Sequence, residues 1–525
     1  MSPDQRSRQK RLLLLLAGVG LAFLFGLFNH PPIPSMEPRF AEAVREMAAR
    51  GQYLIPIKNG VPYIEYPPLY FWLSLAGKLI GLPVAAAIRL PGAAAFLLWL
   101  FWLFRLQKLV RPQWPAVLLP LTCAALPSVL YNFFTAQSDS VLILGVLIAF
   151  MGFVRFRKRE GPFGFPWELW LGIALAVAAK GPVGLVLTLP IMGLEILSAA
   201  FFDLPEHNSA GTGRLAWAWR EAWRLRPAHG LGLVLLLNGP WYIAAGLTVG
   251  WEFCRAVLVY QNFTRFFIGF DHLQPWWYYL KTLWPDLFPL SVLFPFGLLI
   301  AWKRRRYFLF RLCGLWALFT IVFFSFSQSK QGKYIFPAAP AVAILGLLAV
   351  EAFHSEVFRR RTFRFLQTWA AFLLTLFAVL VIAVLPFYSS RIGGVEGFRT
   401  VRSAVEARPG RLVTYLWPRS MMLYELGAPL PYVRSARELY EKIHGGEIKP
   451  GDYVLVNRKY LPGRGAPKPL VLSPAPRPPF MDLVLTAKAE GRLDLYRILP
   501  GAEKVSIPAT PSPPKHYWWE KFDTD

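Results

Sequence analysis

The chain has 525 residues, a formal net charge of +26 and a pI near 10.1, and 55% of its residues are hydrophobic. Its apolar residues run in blocks and its mean hydropathy is +0.38, which excludes an ordinary soluble domain. Basic residues gather at the ends of those blocks, so membrane orientation explains them before nucleic acid does. Three scattered cysteines (Cys123, Cys254, Cys313) exclude a disulfide framework or a cysteine metal cluster.

Apolar blocks at 12–28, 85–104, 141–156, 231–249 and 366–387 are long enough, or nearly so, to cross a hydrocarbon core of about 30 Å as helices. The first follows Arg6, Arg8, Lys10 and Arg11, which places the N-terminus in the cytoplasm. No small-residue cleavage site follows it, so it reads as a retained anchor. An outer segment, 31–83, comes next. Span two returns to Arg105, Lys108 and Arg111, span three (115–131) leaves, and span four returns to Arg155, Arg157, Lys158 and Arg159. Span five runs from Trp167 to Lys180, and span six returns to Arg214, Arg220, Arg224 and Arg226. Span seven leads to an outer loop, 250–279, and span eight returns to the basic run 303–306. Span nine emerges at 325–334, span ten returns to Arg359, Arg360, Arg361 and Arg364, and span eleven leaves again. The pattern predicts an all-α membrane bundle of about eleven helices with its C-terminus outside.

From about residue 389 the composition changes. Short β-rich runs at 411–415, 451–457, 481–487 and 492–498 alternate with a helical pattern at 435–444. They predict a small extracytoplasmic α/β domain, 389–525, with a Pro-rich flexible tail at 508–514. The polytopic domain is then 1–388, with an outer loop at about 30–83 carrying chemistry. No internal repeat suggests a transporter of two related halves.

The orientation sorts the polar residues. In the first outer loop, Phe40, Ala43, Val44 and Met47 recur at helical spacing opposite Arg39, Glu42, Arg45, Glu46 and Arg50. That predicts an amphipathic helix lying on the membrane surface, with Glu37 in its first turn where the helix dipole favours a carboxylate. A Gly/Pro-shaped turn at 58–68 holds Tyr63, Glu65 and Tyr66. Asp139, at the mouth of span four, either caps the span or needs a partner. Lys180 ends span five on the outer side, against the positive-inside bias, and so calls for an anion. Lys330, Lys333 and Arg265 are also outside. Four cations there predict a phosphate site at the bilayer surface. His272 and the run Pro275-Trp-Trp-Tyr-Tyr279 fit an aromatic belt or a sugar-stacking face. Asn262-Phe-Thr264 matches a glycosylation sequon by chance. No Cys/His ligand spacing is visible; a divalent metal stays open, and no cofactor is assigned.

Seven pieces in order now carry a resemblance: MEPRFAEAVREMAARGQYLIP, NGVPYIEYPPLYFWL, the acid in QSDS, AAKGPVGL, NFTRF, HLQPWWYYL and SKQGKYIFPAAPA. Over about residues 10–350 the chain resembles the polytopic GT-C glycosyltransferases, in the branch holding bacterial lipid A aminoarabinose transferases and relatives of protein O-mannosyltransferases. The resemblance implies an inner-membrane enzyme that moves a sugar from a polyprenyl-phosphate carrier to an acceptor hydroxyl of lipid A, another glycan, a lipid or a protein. It implies Glu37 and Asp139 as acids near the reaction centre, and Lys180, Arg265, Lys330 and Lys333 as carriers of the donor phosphate. Tyr63, Glu65, Tyr66, Asn262, His272 and Tyr334 would line the site. The chain departs from the pattern at Met36 (usually Asp), which leaves Asp139 or Glu37 to serve as general base, and at Phe40 (Tyr), Tyr66 (Lys) and Asn262 (His), which argues that the sugar is not aminoarabinose or that its phosphate is held differently. Two rival readings are a flippase for a lipid-linked sugar, which needs polar residues through the membrane, and a catalytically degenerate scaffold.

Overall fold

The computed structural model describes residues 3–33, 36–115, 117–159, 164–203, 211–269, 272–388, 395–415, 420–427, 429–434, 436–457, 481–488 and 492–504. They fall into two compact units: Met1–Phe28 with Ile64–Ala383, and Asn29–Tyr63 with Val384–Asp525. The expected Pro-rich tail lies outside the described residues.

The first unit is helical. Among the described residues, seven helices are long and apolar enough to cross a membrane: Val84–Val110, Asp139–Lys158, Val183–Phe202, Gly213–Val249, Phe308–Phe326, Gly332–Glu351 and Glu356–Tyr388. A pair bent by 116°, Tyr278–Asp286 and Leu290–Lys303, makes an eighth if it counts as one span. The expected third span is two short helices, Leu118–Ala124 and Pro127–Phe134. Pro127 lacks an N–H and starts the second piece instead of continuing the first. The expected fifth span, Trp167–Lys180, has 14 residues, about 21 Å of helix against a core of about 30 Å.

The helix Asp139–Lys158 is buried on nearly every side over its apolar length, as is Ala339–Glu351, so these two form the middle of the bundle. Asp139–Lys158 packs most closely against Trp167–Lys180, and small residues permit it. A Cβ on Gly145 would lie 2.7 Å from the Ala176 nitrogen, and one on Gly172 2.3 Å from the Ala149 nitrogen. One on Gly152 would lie 2.3 Å from the Leu169 nitrogen. Hydrogen in place of methyl lets the two backbones touch, as at small-residue interfaces in membranes. Away from Asp139, at the other end of this helix, sits a buried ion cluster. Arg311 lies 2.7 Å from Glu195 and 2.8 Å from Asp203, while Arg157 lies 3.1 Å from Glu195 and 3.2 Å from Glu221. Each buried carboxylate there has a guanidinium partner, the condition under which buried charge is tolerated.

The second unit is α/β. Strands β1 (Ile57–Lys58) and β2 (Val61–Pro62) form a hairpin. Its two-residue turn, Asn59-Gly60, holds φ at +52° and +82°, as tight hairpins require. Strands β3 (Leu412–Tyr415), β4 (Tyr432–Val433), β5 (Tyr453–Asn457), β6 (Met481–Lys488) and β7 (Arg492–Ile498) form a sheet in the order β4-β3-β5-β7-β6. β3 runs parallel to β4 and β5; β7 is antiparallel to β5 and β6. All five residues of β5 are buried, as expected of a central strand covered on both faces. Val454 and Val456 face a core with Leu439 and Ile443; Tyr453 and Leu455 face one with Phe398, Val401 and Met422. The four β-rich runs of the sequence are therefore real strands, and the expected helix is present as Ala436–His444.

One expectation is corrected here. The helix Glu37–Arg50 exists and is two-sided, but its carboxylates do not face solvent: Glu37, Glu42 and Glu46 are buried together with Phe40, Val44 and Met47, while Arg39 and Arg45 are half-buried and Arg50 is exposed. It packs against the helix Ser420–Leu426 of the same unit. The hairpin is fastened to that unit as well. Asn59 accepts the Leu430 N–H at 2.8 Å and donates to the Leu430 carbonyl at 3.2 Å, while the buried Lys58 ammonium donates to Ser420 Oγ at 3.2 Å. The polar residues of the helix make their own local partners. Arg45 chelates Glu42, which raises the Arg45 pKa, and Gly60 N–H donates to Glu46 at 2.8 Å.

Candidate active site

Asp139 is the first residue of its helix and Lys180 the last of the neighbouring one. Each charge opposes the dipole end on which it sits. The two helices are antiparallel and held together by their glycines, so these termini meet and Lys180 donates directly to Asp139 Oδ1. Gly181 follows with φ +67° and ψ −145°, a conformation that only glycine adopts readily, and this turns the chain out of the helix beside the ammonium. Lys333 approaches the other carboxylate oxygen at 3.2 Å. Its neighbour Tyr334 presents its ring 4.9 Å from the Lys180 ammonium, within cation–π range. One carboxylate thus gathers two lysines.

A cavity of about 210 Å³ lies over this cluster. Glu65 and Tyr66 line it with Asp139, Lys180, Lys333, Tyr334, Asn262 and Arg265. Most of the remaining wall is apolar, with Val183, Val186, Val257, Phe263, Phe266, Phe267, Phe323 and Phe324, and Gln261, Ser327 and Ser329 add polar groups. Arg265 closes a π-helical stretch, Ala256–Thr264, and donates to Gln261 at 3.4 Å. The wide turn leaves carbonyls out of register, and Asn262 takes two of them, donating to Val257 and Leu258 at 2.9 and 3.1 Å. Three cations and two carboxylates line the cavity, which leaves one net positive charge among hydrophobic walls. Such a site suits a singly charged anion carrying a long apolar group.

Eight of the twelve residues singled out in the sequence therefore come together. Lys330 does not line the cavity: its buried ammonium donates to the carbonyls of Gln274, at 2.8 Å, and Ser327, and burial lowers its pKa. It fastens one interhelical loop to another, and the bridge between Leu273 and Ser329 does the same. His272 is exposed in that loop and its carbonyl accepts the Lys330 N–H at 3.0 Å. Glu37 and Tyr63 belong to the second unit. Glu37 accepts the Ile33 N–H at 2.7 Å, and the Tyr63 ring lies 5.4 Å from the Lys58 ammonium. Among the described residues no three His, Cys, Asp or Glu side chains gather to hold a metal ion. Sequence reading missed the phenylalanine wall, Gln261 and Gln137; a Gln two residues before a charged helix terminus was the available signal for the last.

No protein-family model matches the chain. It is 27% identical over 360 residues to the undecaprenyl phosphate-alpha-4-amino-4-deoxy-L-arabinose arabinosyl transferase of Pseudomonas aeruginosa, covering 65% of this chain and 59% of that protein. The corresponding transferase 1 of Pseudomonas fluorescens is 26% identical over 397 residues, covering 72% and 63%. The chain thus spans about three fifths of the length of the curated relatives it matches. Among solved structures, ArnT from Cupriavidus metallidurans bound to undecaprenyl phosphate superposes with a TM-score of 0.68 at 18% identity, covering 94% of this chain and 98% of that one. This chain has the ArnT fold. The oligosaccharyltransferase of Archaeoglobus fulgidus follows with a TM-score of 0.52 at 12% identity, covering 85% and 69%. The resemblance to polytopic GT-C glycosyltransferases read from the sequence is borne out.

Proposed function

We propose that this chain is an integral membrane glycosyltransferase that takes a sugar from a polyprenyl-phosphate donor and places it on an acceptor hydroxyl at the extracytoplasmic face. The observation that carries the reading is the cavity in which Lys180, Lys333 and Arg265 converge beneath a phenylalanine and valine wall. The cations take the phosphate and the apolar wall takes the prenyl chain. The acceptor oxygen attacks the anomeric carbon, the bond from that carbon to the phosphate oxygen breaks, and the electron pair leaves with the phosphate. The growing negative charge on phosphate is met by cations already in place. The hydroxyl proton goes to a carboxylate. Glu65, on the cavity wall, is our first choice for it, and Glu37 is the second, on motif position. Asp139 is engaged with two ammonium groups, so its part is to hold them apart and aimed. Direct displacement inverts the anomeric centre.

On this reading the bundle has about eleven spans, the N-terminus lies in the cytoplasm of a bacterial inner membrane, and the α/β domain is outside. The acceptor is a lipid A-type glycolipid, a glycan or a protein. Support comes from the sorting of basic clusters between apolar blocks and from the named activity of the Pseudomonas relatives. The test is transfer of labelled sugar from a polyprenyl-phosphate pool in membranes. Native chain should give labelled product, Glu65→Gln should lose it, and Lys180→Ala and Arg265→Ala should lose most of it. Equal product from all four chains, or none from the native chain with a range of donors, refutes the reading.

A further inference from the structure

Lys333 is held from behind by a residue that does not line the cavity. Its ammonium donates to Gln137 Oε1 at 3.1 Å, besides facing Asp139. The Gln137 amide can point only one way. Thr135 Oγ1 spends its single hydrogen on the Tyr131 carbonyl at 2.7 Å, so towards Gln137 it can only accept. Gln137 Nε2 therefore donates to Thr135 Oγ1, at 2.5 Å, and the Oε1 faces Lys333. The backbone is pinned too: Gln137 N–H donates to the Tyr70 hydroxyl at 3.1 Å, and that hydroxyl donates to the Ile88 carbonyl at 2.8 Å. Gln137, Thr135 and Tyr70 are all buried, so none of these bonds competes with water.

We propose that Gln137 is a positioning residue that aims the Lys333 ammonium at the anionic oxygen of the bound phosphate. The proposal rests on the transferase reading above. An ammonium has three N–H groups. Gln137 takes one of them, Asp139 faces the ammonium as an ion pair at 3.2 Å, and Lys333 is itself part of the cavity wall, so these two groups fix the direction in which the ammonium meets a ligand there. A neutral acceptor suits this role, because it fixes direction without cancelling charge. A carboxylate in its place would remove the one net positive charge of the cavity.

The test uses the full chain in detergent with undecaprenyl phosphate as the probe, and compares native, Gln137→Met, Gln137→Glu and Lys333→Met with the double variant Gln137→Met/Lys333→Met. Gln137→Met should weaken binding about three- to tenfold in the native background and leave it unchanged once Lys333 is gone. Gln137→Glu should weaken it about tenfold or more, as much as Lys333→Met. A merely structural glutamine would cost the same in both backgrounds, and that result overturns the proposal, as does native affinity in Gln137→Glu. Gel filtration confirms folding, and Gln137→Met alone decides if the glutamate variant fails it. A native chain that binds no undecaprenyl phosphate sinks the transferase reading and this inference with it. A native chain that binds, without the coupling, sinks only the inference.

Discussion

A single methyl at Gly172 should disarm the site without touching any residue in it. The Cβ of Gly172→Ala would sit 2.3 Å from the Ala149 nitrogen and 2.7 Å from the Gly145 oxygen, both backbone atoms of the adjacent helix. Ordinary contact begins at 3.4 Å, so the two helices must part by about 1.1 Å, since no side chain can turn aside. Overpacking of this kind costs about 1–3 kcal/mol. Asp139 and Lys180 hang from the ends of these helices, and a misplacement of about 1 Å at a reacting centre can cost about 100-fold in rate. The control is Gly193→Ala, also in a helix, where nothing lies within 4 Å of the new Cβ. There the methyl should stabilise by about 0.5–1 kcal/mol. Thermal unfolding in detergent and sugar transfer, measured on both variants, decide the matter. If Gly172→Ala unfolds at the native temperature and transfers at the native rate, close helix approach does not set this site.

Other perturbations test separate parts of the structure. Asp139→Asn strips Lys180 and Lys333 of their common counter-charge and should destabilise by about 3–5 kcal/mol in chemical unfolding; adding Lys180→Met should recover stability but not transfer. Asn59→Gly keeps the positive φ but deletes both bonds to Leu430, and should cost the second unit about 1–3 kcal/mol, read as faster proteolysis of 29–63. Burial raises the Glu46 pKa against the opposing pull of Arg50, so the folded unit favours its protonated form. That contribution is present at low pH and is lost as pH rises through the raised value. Glu46→Gln should therefore gain stability over native as pH rises from the ordinary carboxylate range through the raised value, by hydrogen exchange at Gly60, and a constant difference would refute the assignment.

The legible parts of the sequence were those set by local pattern. Apolar blocks gave the membrane bundle, and period-two runs gave β3, β5, β6 and β7. A cation against the expected sign, Lys180, and an acid at a helix mouth, Asp139, were each conspicuous, and the structure makes them partners. Lys330 carried the same signal and turned out otherwise, because sign and side of the membrane do not tell where a flexible ammonium points. The helix Glu37–Arg50 was misjudged for a related reason. Periodicity reveals two faces, but the helix that packs against this one, Ser420–Leu426, begins some 370 positions after its end. The π-helical turn at Ala256–Thr264 has no distinct period in the sequence and could be found only in coordinates.

The second unit is assembled from two stretches of chain, Asn29–Tyr63 and Val384–Asp525, with about 320 residues made between them. At roughly 5–20 residues per second, the ribosome needs about 16–64 s to cross that gap. For that interval Asn59 has no Leu430, Lys58 has no Ser420, and the helix Glu37–Arg50 lacks the helix Ser420–Leu426 that packs against it. A chain cut after Tyr388 leaves them so permanently. Birth order therefore makes the earliest polar loop of this protein the last to be finished, and a lesion in the final quarter of the coding sequence will show itself first near residue 40.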